Sequence, residues 1–454
     1  MNHHSMSATE LRAIVSLASL YAFRMLGLFM LLPVLSLYAA EYDYSTPVLV
    51  GLALGIYGLG QAALQVPLGM LSDRIGRKPV IISGLLLFIA GGVVAAGADT
   101  IFGVIVGRLL QGTGAIASTL TALLADLTRE QHRTKAMAVI GMSIGVSFAA
   151  AMVIGPLMAS WLGVSGLFLC TSVLAGLGIF ITLFLVPNPD AQRVDADSQS
   201  LSGMLARCLN DRNLMRLNLG IFSLHAILMA IFIAVPGILE EQGLSRDAHW
   251  QVYLPMMVVA FVAMVPFIII AETKNKMREV FLLGIATIVL ALFAAACWGQ
   301  LFTPLLIIIT LFFVAFNLME ASLPSLVSKT VYAGGKGTAM GVYSTFQFFG
   351  AFCGGAIGGG LFGRWGASAV FAGAAILAGA WLIAAWGMSV PLKSESIVLS
   401  WQFGAWDVAD IRREVLALPG ALDITVLEGE RIAYLQVGSD FDLANLPEGL
   451  QLGS

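Results

Sequence analysis

A handful of charged and polar residues stand where an apolar chain can least accommodate them. Arg24 falls about twelve residues into the first long apolar run, near its midpoint at ~1.5 Å rise per residue. Arg108, His225, Asn317 and Glu320 sit inside later runs of the same kind. An ionisable group at that depth is costly, so it faces a cavity or a partner. Glu320 is the carboxylate that lies deep in a run. Charging it there costs energy, so it can load and release a proton; the alternative is a fixed ion pair. Arg24 reads either as a cavity cation or as half of an ion pair between helices. His225 reads either as a proton or substrate group or as a hydrogen-bonded helix contact. Tyr57, Gln61 and Gln65 recur at helical spacing as a polar stripe, and Gln111 and Gln347 add further amides; all five are expected to line a cavity.

A second cluster lies between two apolar runs: Gly69-Met70-Leu71-Ser72-Asp73-Arg74-Ile75-Gly76-Arg77-Lys78. Its charges cannot lie in lipid, so it must be a short turn at one membrane face. Gly69 and Asp73 share a helix face, where a neighbour can pack closely and meet the carboxylate. Gly76 suits a tight reversal, and Arg77-Lys78 suit the headgroup region. The pattern Gly-x-x-x-Asp-Arg-x-Gly-Arg-Lys resembles the signature loop of the major facilitator superfamily, found between its second and third membrane helices. Arg108-x-x-Gln111-Gly112 resembles another of its motifs, in which the arginine is associated with proton coupling. The plainer reading is that Arg108 pins helices by bonding to backbone carbonyls. Gly155-Pro156 resembles the antiporter signature of drug exporters, while Gly145 and Gly155 also suit a helix-packing face. The resemblance implies a conformational latch at the opening cluster. Asp73 is expected to bind the helix start near Gly337, and Arg77 to bridge to Asp126.

The elements that must position these residues are membrane helices. The chain has 454 residues, is 58% hydrophobic and 11% charged, and has mean hydropathy +0.90, which no soluble core requires. Twelve spans are expected, at 13–38, 47–72, 79–98, 101–125, 134–161, 165–187, 216–239, 248–271, 279–298, 302–327, 337–362 and 367–390. Lys and Arg crowd the alternate loops that contain Arg74, Arg129 and Lys274, whereas the opposite loops hold only Arg246 and Arg364. By that asymmetry both termini are cytoplasmic. The divisions are 1–190, a six-helix half; 191–215, a cytoplasmic linker; 216–392, a second six-helix half; and 393–454, a soluble cytoplasmic domain. The second half echoes the first, with Pro236 standing as Pro33 does, as expected of a fold built from two parallel repeats.

After Lys393 the composition turns acidic and polar. Ile397–Leu399 reads as a strand, Trp406–Leu418 as a helix, and 422–427 with 432–437 as a hairpin about Glu428-Gly429-Glu430. The whole is an all-α membrane protein with a small α+β C-terminal domain of βαββ type, similar to ferredoxin-like modules. That domain lacks Cys and His, so soft-metal binding is not expected. It is expected to bind a regulator, the inner loops or another copy of the chain. Cys170, Cys208, Cys297 and Cys353 imply no disulfide or metal framework. No cofactor, metal or nucleic-acid partner is expected, and no phosphate-binding Walker sequence occurs, so energy must come from a gradient. The sequence reads as a bacterial inner-membrane secondary transporter exchanging an unknown small molecule for protons across the lipid bilayer, and not as an enzyme. A uniporter or symporter on the same fold, or a membrane sensor signalling through the C-terminal domain, are the alternatives.

Overall fold

The computed structural model describes residues 6–188, 198–331 and 336–388, and then 395–401, 406, 408–427, 432–438, 441–447 and 449–452. The first half contains α1 (Ala8–Met30), α2 (Leu32–Tyr38), α3 (Pro47–Ile75), α4 (Arg77–Ala96), α5 (Ile101–Thr113), α6 (Ala117–Leu127) and α7 (Glu130–Phe184). A linker helix α8 (Ser198–Asn210) precedes α9 (Arg212–Glu241), α10 (Trp250–Thr273), α11 (Met277–Trp298), α12 (Phe302–Thr330) and α13 (Lys336–Trp386). Ten of the described helical segments are long and apolar enough to cross a membrane.

Two of them reverse direction midway. α7 has 55 residues, which at ~1.5 Å each exceeds twice the ~30 Å hydrocarbon core. Its direction relative to α1 gives the reversal. His132 lies beside Glu10 and Gly155 beside Met30, but Thr171 returns to Gly27 and Leu185 to Arg12. The turn is at Gly163, whose φ of 65° is one a side chain resists. α13 repeats the device at Gly366, φ 75°: Gly350 and Gly358 climb along α9 from Phe222 to Ala230, and Trp381 comes back to Gly220. With these two reversals the ten apolar segments divide into as many as twelve helical stretches, and both short turns keep enough helical bonding to join their neighbours.

Two spans are broken. The first is interrupted between α1 and α2 at Leu31, whose backbone stays helical, with Pro33 in the first turn of α2. The fourth breaks between α5 and α6, where the Gln61 amide donates to the Gly112 carbonyl at 3.1 Å. That bond satisfies a backbone group which lipid could not. Apolar side chains such as Ile383 and Ile376, 79% and 75% exposed, face outward, as a lipid-facing surface requires. α9 is the central helix, with 89% of its apolar window buried, whereas α10 has 22% and faces outward.

The C-terminal segment forms a four-stranded antiparallel sheet in the order β2-β3-β1-β4. The strands are β1 (Glu395–Trp401), β2 (Ala421–Leu427), β3 (Ile432–Val437) and β4 (Leu450–Leu452), with α14 (Val408–Leu416) between β1 and β2. Leu399, Ile411, Val415, Ile424 and Leu435 make its core. β4 has no counterpart in the sequence reading. The turn at Glu428–Glu430, linker residues 191–197 and the boundary at 392/393 lie outside the described residues.

Candidate functional site

Side chains from six helices close a ring through the middle of the bundle. On α1, Arg24 Nη2 donates to Gln61 Oε1 at 2.8 Å and to Tyr57 OH at 3.2 Å, both on α3. The Tyr57 ring meets Phe348 of α13, centroids 6.4 Å apart. The preceding residue, Gln347, places Nε2 2.9 Å from His225 Nε2 on α9 and 3.4 Å from Glu320 Oε1 on α12. His225 stacks toward Phe316 at 6.2 Å, Phe316 meets Phe148 of α7 at 5.8 Å, and Phe148 meets Phe29 of α1 at 5.0 Å. The circuit thus returns to the helix on which it began. It unites Arg24, Tyr57, Gln61, His225, Glu320 and Gln347, which lie far apart in sequence.

Within the ring, Glu320 Oε2 is 3.8 Å from His225 Nε2, and a third of the Glu320 side chain (33%) remains accessible. One amide, one imidazole and one carboxyl group here share a short hydrogen-bonded chain. The imidazole and the carboxyl group would reach hydrogen-bond length with a displacement of about 1 Å. Asn317 is buried beside them, one turn before Glu320, with Nδ2 unpartnered.

Three residues expected to line a cavity or couple protons fall elsewhere. Gln111 is fully buried inside the first half, bonded to Arg108 at 3.1 Å and to Thr171 at 3.4 Å. Gln65 is buried against α6, where Ser118 bonds to its carbonyl. Arg108 donates to the Ala53 and Leu54 carbonyls at 3.4 and 3.5 Å and lies 4.9 Å over the Tyr57 ring. A buried amide or guanidinium takes the nearest acceptors, and for Gln111 and Arg108 these are on the neighbouring helices α7 and α3. Arg108 therefore pins α5 to α3.

The Gly69–Lys78 cluster forms the α3–α4 turn, with Gly76 at φ 97°. Arg77, 11% exposed, donates to Asp126 of α6 at 3.0 Å and to Ser72 at 2.7 Å, as expected for the first of these. Lys78 caps the Val186 carbonyl at 2.7 Å. Arg74 is exposed. Asp73, near the end of α3, pairs across the Gly76 turn with Arg77 at the start of α4 rather than with the start of α13. Gly69 approaches Ser118 of α6, and a side-chain atom added at Gly337 would meet nothing within 4 Å. The Asp73–Gly337 contact is therefore not made in this structure. At this end the Arg77–Asp126 and Lys78–Val186 bonds join elements of the first half, and Lys329–Glu272 joins elements of the second.

The other end differs. α3 and α13 touch backbone to backbone: Gly51, Gly55 and Gly58 stand against Gly355, Phe352 and Phe348, leaving no room for a Cβ. Arg246 crosses between halves, pairing with Glu41 at 2.6 Å and lying 4.8 Å over the Tyr38 ring, while a second bond at 2.8 Å goes to Glu240. Gly155 packs on Met30, and Gly145 faces Phe261 across the halves at 3.8 Å. Pro156 follows inside α7. The sequence reading missed the Arg246 clamp, and also the buried Glu10, which joins α1 to the start of α7 through Arg129 at 2.8 Å and His132 at 3.2 Å. The Ser7-x-x-Glu10 capping box was the available signal for the latter.

Membrane-length apolar helices around a polar centre, with a loop of this signature, define a multi-pass membrane transporter. Residues 17–354 match the Major Facilitator Superfamily, and the chain belongs to it. It is 46% identical over 441 residues to the inner membrane transport protein YajR of Escherichia coli (strain K12), covering 97% of each chain. It is 27% identical over 341 residues to the multidrug resistance protein MdtH of Yersinia enterocolitica, covering 73% of this chain and 81% of that one. Among solved structures, a D-xylose-proton symporter aligns with TM-score 0.67 and 15% identity over 84% of this chain and 98% of its own. The human organic anion transporter MFSD10 (TETRAN) aligns with TM-score 0.61 and 16% identity, over 84% and 100%. These last two likenesses establish the fold.

Proposed function

We propose that this transporter exports a small molecule in exchange for protons by alternating access, with Glu320 and His225 as the proton site. The carrying observation is the His225–Gln347–Glu320 chain, set at mid-bundle and still partly accessible. A proton entering at Glu320 would neutralise the carboxylate and release Gln347, which is bonded both to it and to His225. Because Gln347 and Phe348 are neighbours on the helix that meets α3, the protonation state reaches the contact between the halves. One proton moving down ~100 mV supplies ~2.3 kcal/mol, enough to bias such an equilibrium tens of fold. The multidrug resistance relatives support the export direction.

In this reading the α3–α4 turn is cytoplasmic, as the Lys and Arg asymmetry favours, and the glycine contacts with the Arg246 clamp close the external side. The state described is then inward-facing. Asp73 would engage the α13 start near Gly337 in the opposite state, where the helix N-terminus offers unpaired N–H groups. Arg77–Asp126 would keep the turn rigid in both. The C-terminal segment is a ferredoxin-like cytoplasmic domain, a reading supported by its strand order, with a regulatory or assembly role. The test is Glu320→Gln in proteoliposomes with an imposed pH gradient, screened against a broad substrate panel. The variant should lose gradient-driven accumulation while retaining exchange; driven accumulation equal to the parent's would remove Glu320 from the coupling role.

A further inference from the structure

Among the described residues Arg24 is a buried cation without a counter-ion. It is 4% exposed, and its two hydrogen bonds, to Gln61 and Tyr57, both leave from Nη2 and end on neutral oxygens. Nε and Nη1 have no partner. Arg24 forms no ion pair among the described residues, whereas Arg77, Arg129 and Arg246 each hold a carboxylate. A guanidinium has no neutral form to retreat to, so burial with donors unused carries a large desolvation cost. Gln61 cannot relieve it by turning, because its own amide nitrogen is committed to the Gly112 carbonyl.

The surroundings make this an organised site. Gln61 and Tyr57 hold one nitrogen of the guanidinium in place, and Arg108 lies over the same Tyr57 ring, a second cation whose hydrogen bonds among the described residues end on neutral oxygens. The described carboxylate in the ring, Glu320, lies on the other side of Gln347 and is bonded there to the second half. The first half thus offers positive charge and unused donors, and the rings of Tyr57, Phe88 and Phe348 offer aromatic surface next to them.

We infer that Arg24 is the anion subsite of the transport path, and that the substrates are small aromatic or otherwise apolar anions bearing a carboxylate or sulfonate. This rests on the transporter reading above. The anionic group takes the unused Nε and Nη1 donors, and the apolar body lies on the Tyr57–Phe348 surface. Those donors are covered in the present state and become reachable as Tyr57 and Phe348 separate. An anion arriving there also neutralises the first half, as a proton on Glu320 neutralises the second. Guanidinium recognises such groups through directed, charge-assisted bonds.

The test is equilibrium binding to the purified full-length protein, with no gradient, so its outcome does not depend on proton coupling. Titration with 1-naphthoate, 1-naphthalenesulfonate and the neutral 1-naphthamide, followed by quenching of intrinsic fluorescence, should give an anion preference of about tenfold or more. Arg24→Gln should abolish the preference and Arg24→Lys should keep part of it, with thermal unfolding confirming that each variant is folded. Should Arg24→Gln fail to fold, the Lys variant and the parent comparison still decide. Equal affinity for anion and amide, no saturable binding of either anion, or an undiminished preference in a folded Arg24→Gln would each overturn the assignment and leave Arg24 a structural cation. Displacement of bound 1-naphthoate by phosphatidylglycerol but not by excess 1-naphthalenesulfonate would overturn it in favour of a lipid headgroup.

Discussion

Arg246→Ala should open the end of the bundle opposite the signature turn. Arg246 is 29% exposed at its side chain and Glu41 63%, so their pair is a surface ion pair of about 0.5–1 kcal/mol. The stack on Tyr38 adds about 0.5–1 kcal/mol. Both contacts cross between halves and are lost when that end opens. The bond to Glu240 lies within the second half and survives in either state, so it does not enter the difference. The clamp is thus worth about 1–2 kcal/mol, and its loss should move the closed-to-open ratio about 5–30-fold. Spin labels at Ile75→Cys and Lys276→Cys, with Cys170, Cys208, Cys297 and Cys353 replaced by serine, report the separation of the halves at the signature-turn end by double electron–electron resonance. Arg246→Ala should enrich the short-distance population, and Glu41→Gln should do so about half as much on the logarithmic scale, because the Tyr38 stack remains. High salt should weaken the clamp in the parent and have less effect in Arg246→Ala. Unchanged distance distributions in both variants would refute the claim that this clamp holds the halves together.

Gly355→Val should be more severe, since its side chain would strike the Gly51–Gly55 backbone. Overpacking of this kind costs about 1–3 kcal/mol, and the same labels should report loss of the closed population; a normal distribution would show that α3 and α13 do not need to touch there. Arg77→Ala should leave Asp126 and Asp73 without their shared cation, lowering both thermal stability and turnover, and normal values of both would reduce the turn to an anchor. Deleting the chain from residue 395 onward should leave transport intact and alter only its regulation. Complete loss of transport in a well-expressed truncation would contradict that.

Hydropathy located the spans because lipid demands an unbroken apolar surface, and the α3–α4 turn was readable because Asp73, Gly76 and Arg77 fall at fixed offsets with a local geometric reason. Arg77–Asp126 followed from placing both at one membrane face. What escaped is what depends on long-range approach. Gln111 and Gln65 look identical in sequence to Gln61 and Gln347, yet their neighbours, the Thr171 hydroxyl for Gln111 and the Ser118 hydroxyl on the Gln65 carbonyl, appear only once the helices pack. Arg246, one charge in a short loop, gives no sign that Glu41, 205 positions away, is its partner. The ring of Arg24, Tyr57, Gln347, His225 and Glu320 was anticipated as membrane-buried polar residues, but its closure through Phe316, Phe148 and Phe29 was not, because aromatic residues in an apolar helix carry no signal of their own. β4, three residues long, is too short for alternation to reveal.

The proton site is the central claim, and its most direct test needs no known substrate. Infrared difference spectra of the protein in lipid, recorded across a pH titration, resolve the carbonyl stretch of a protonated buried carboxyl group. The account predicts one such band that titrates in the parent, vanishes in Glu320→Gln and shifts in its titration when His225 is replaced by Ala. A titrating band that persists unchanged in Glu320→Gln would contradict it.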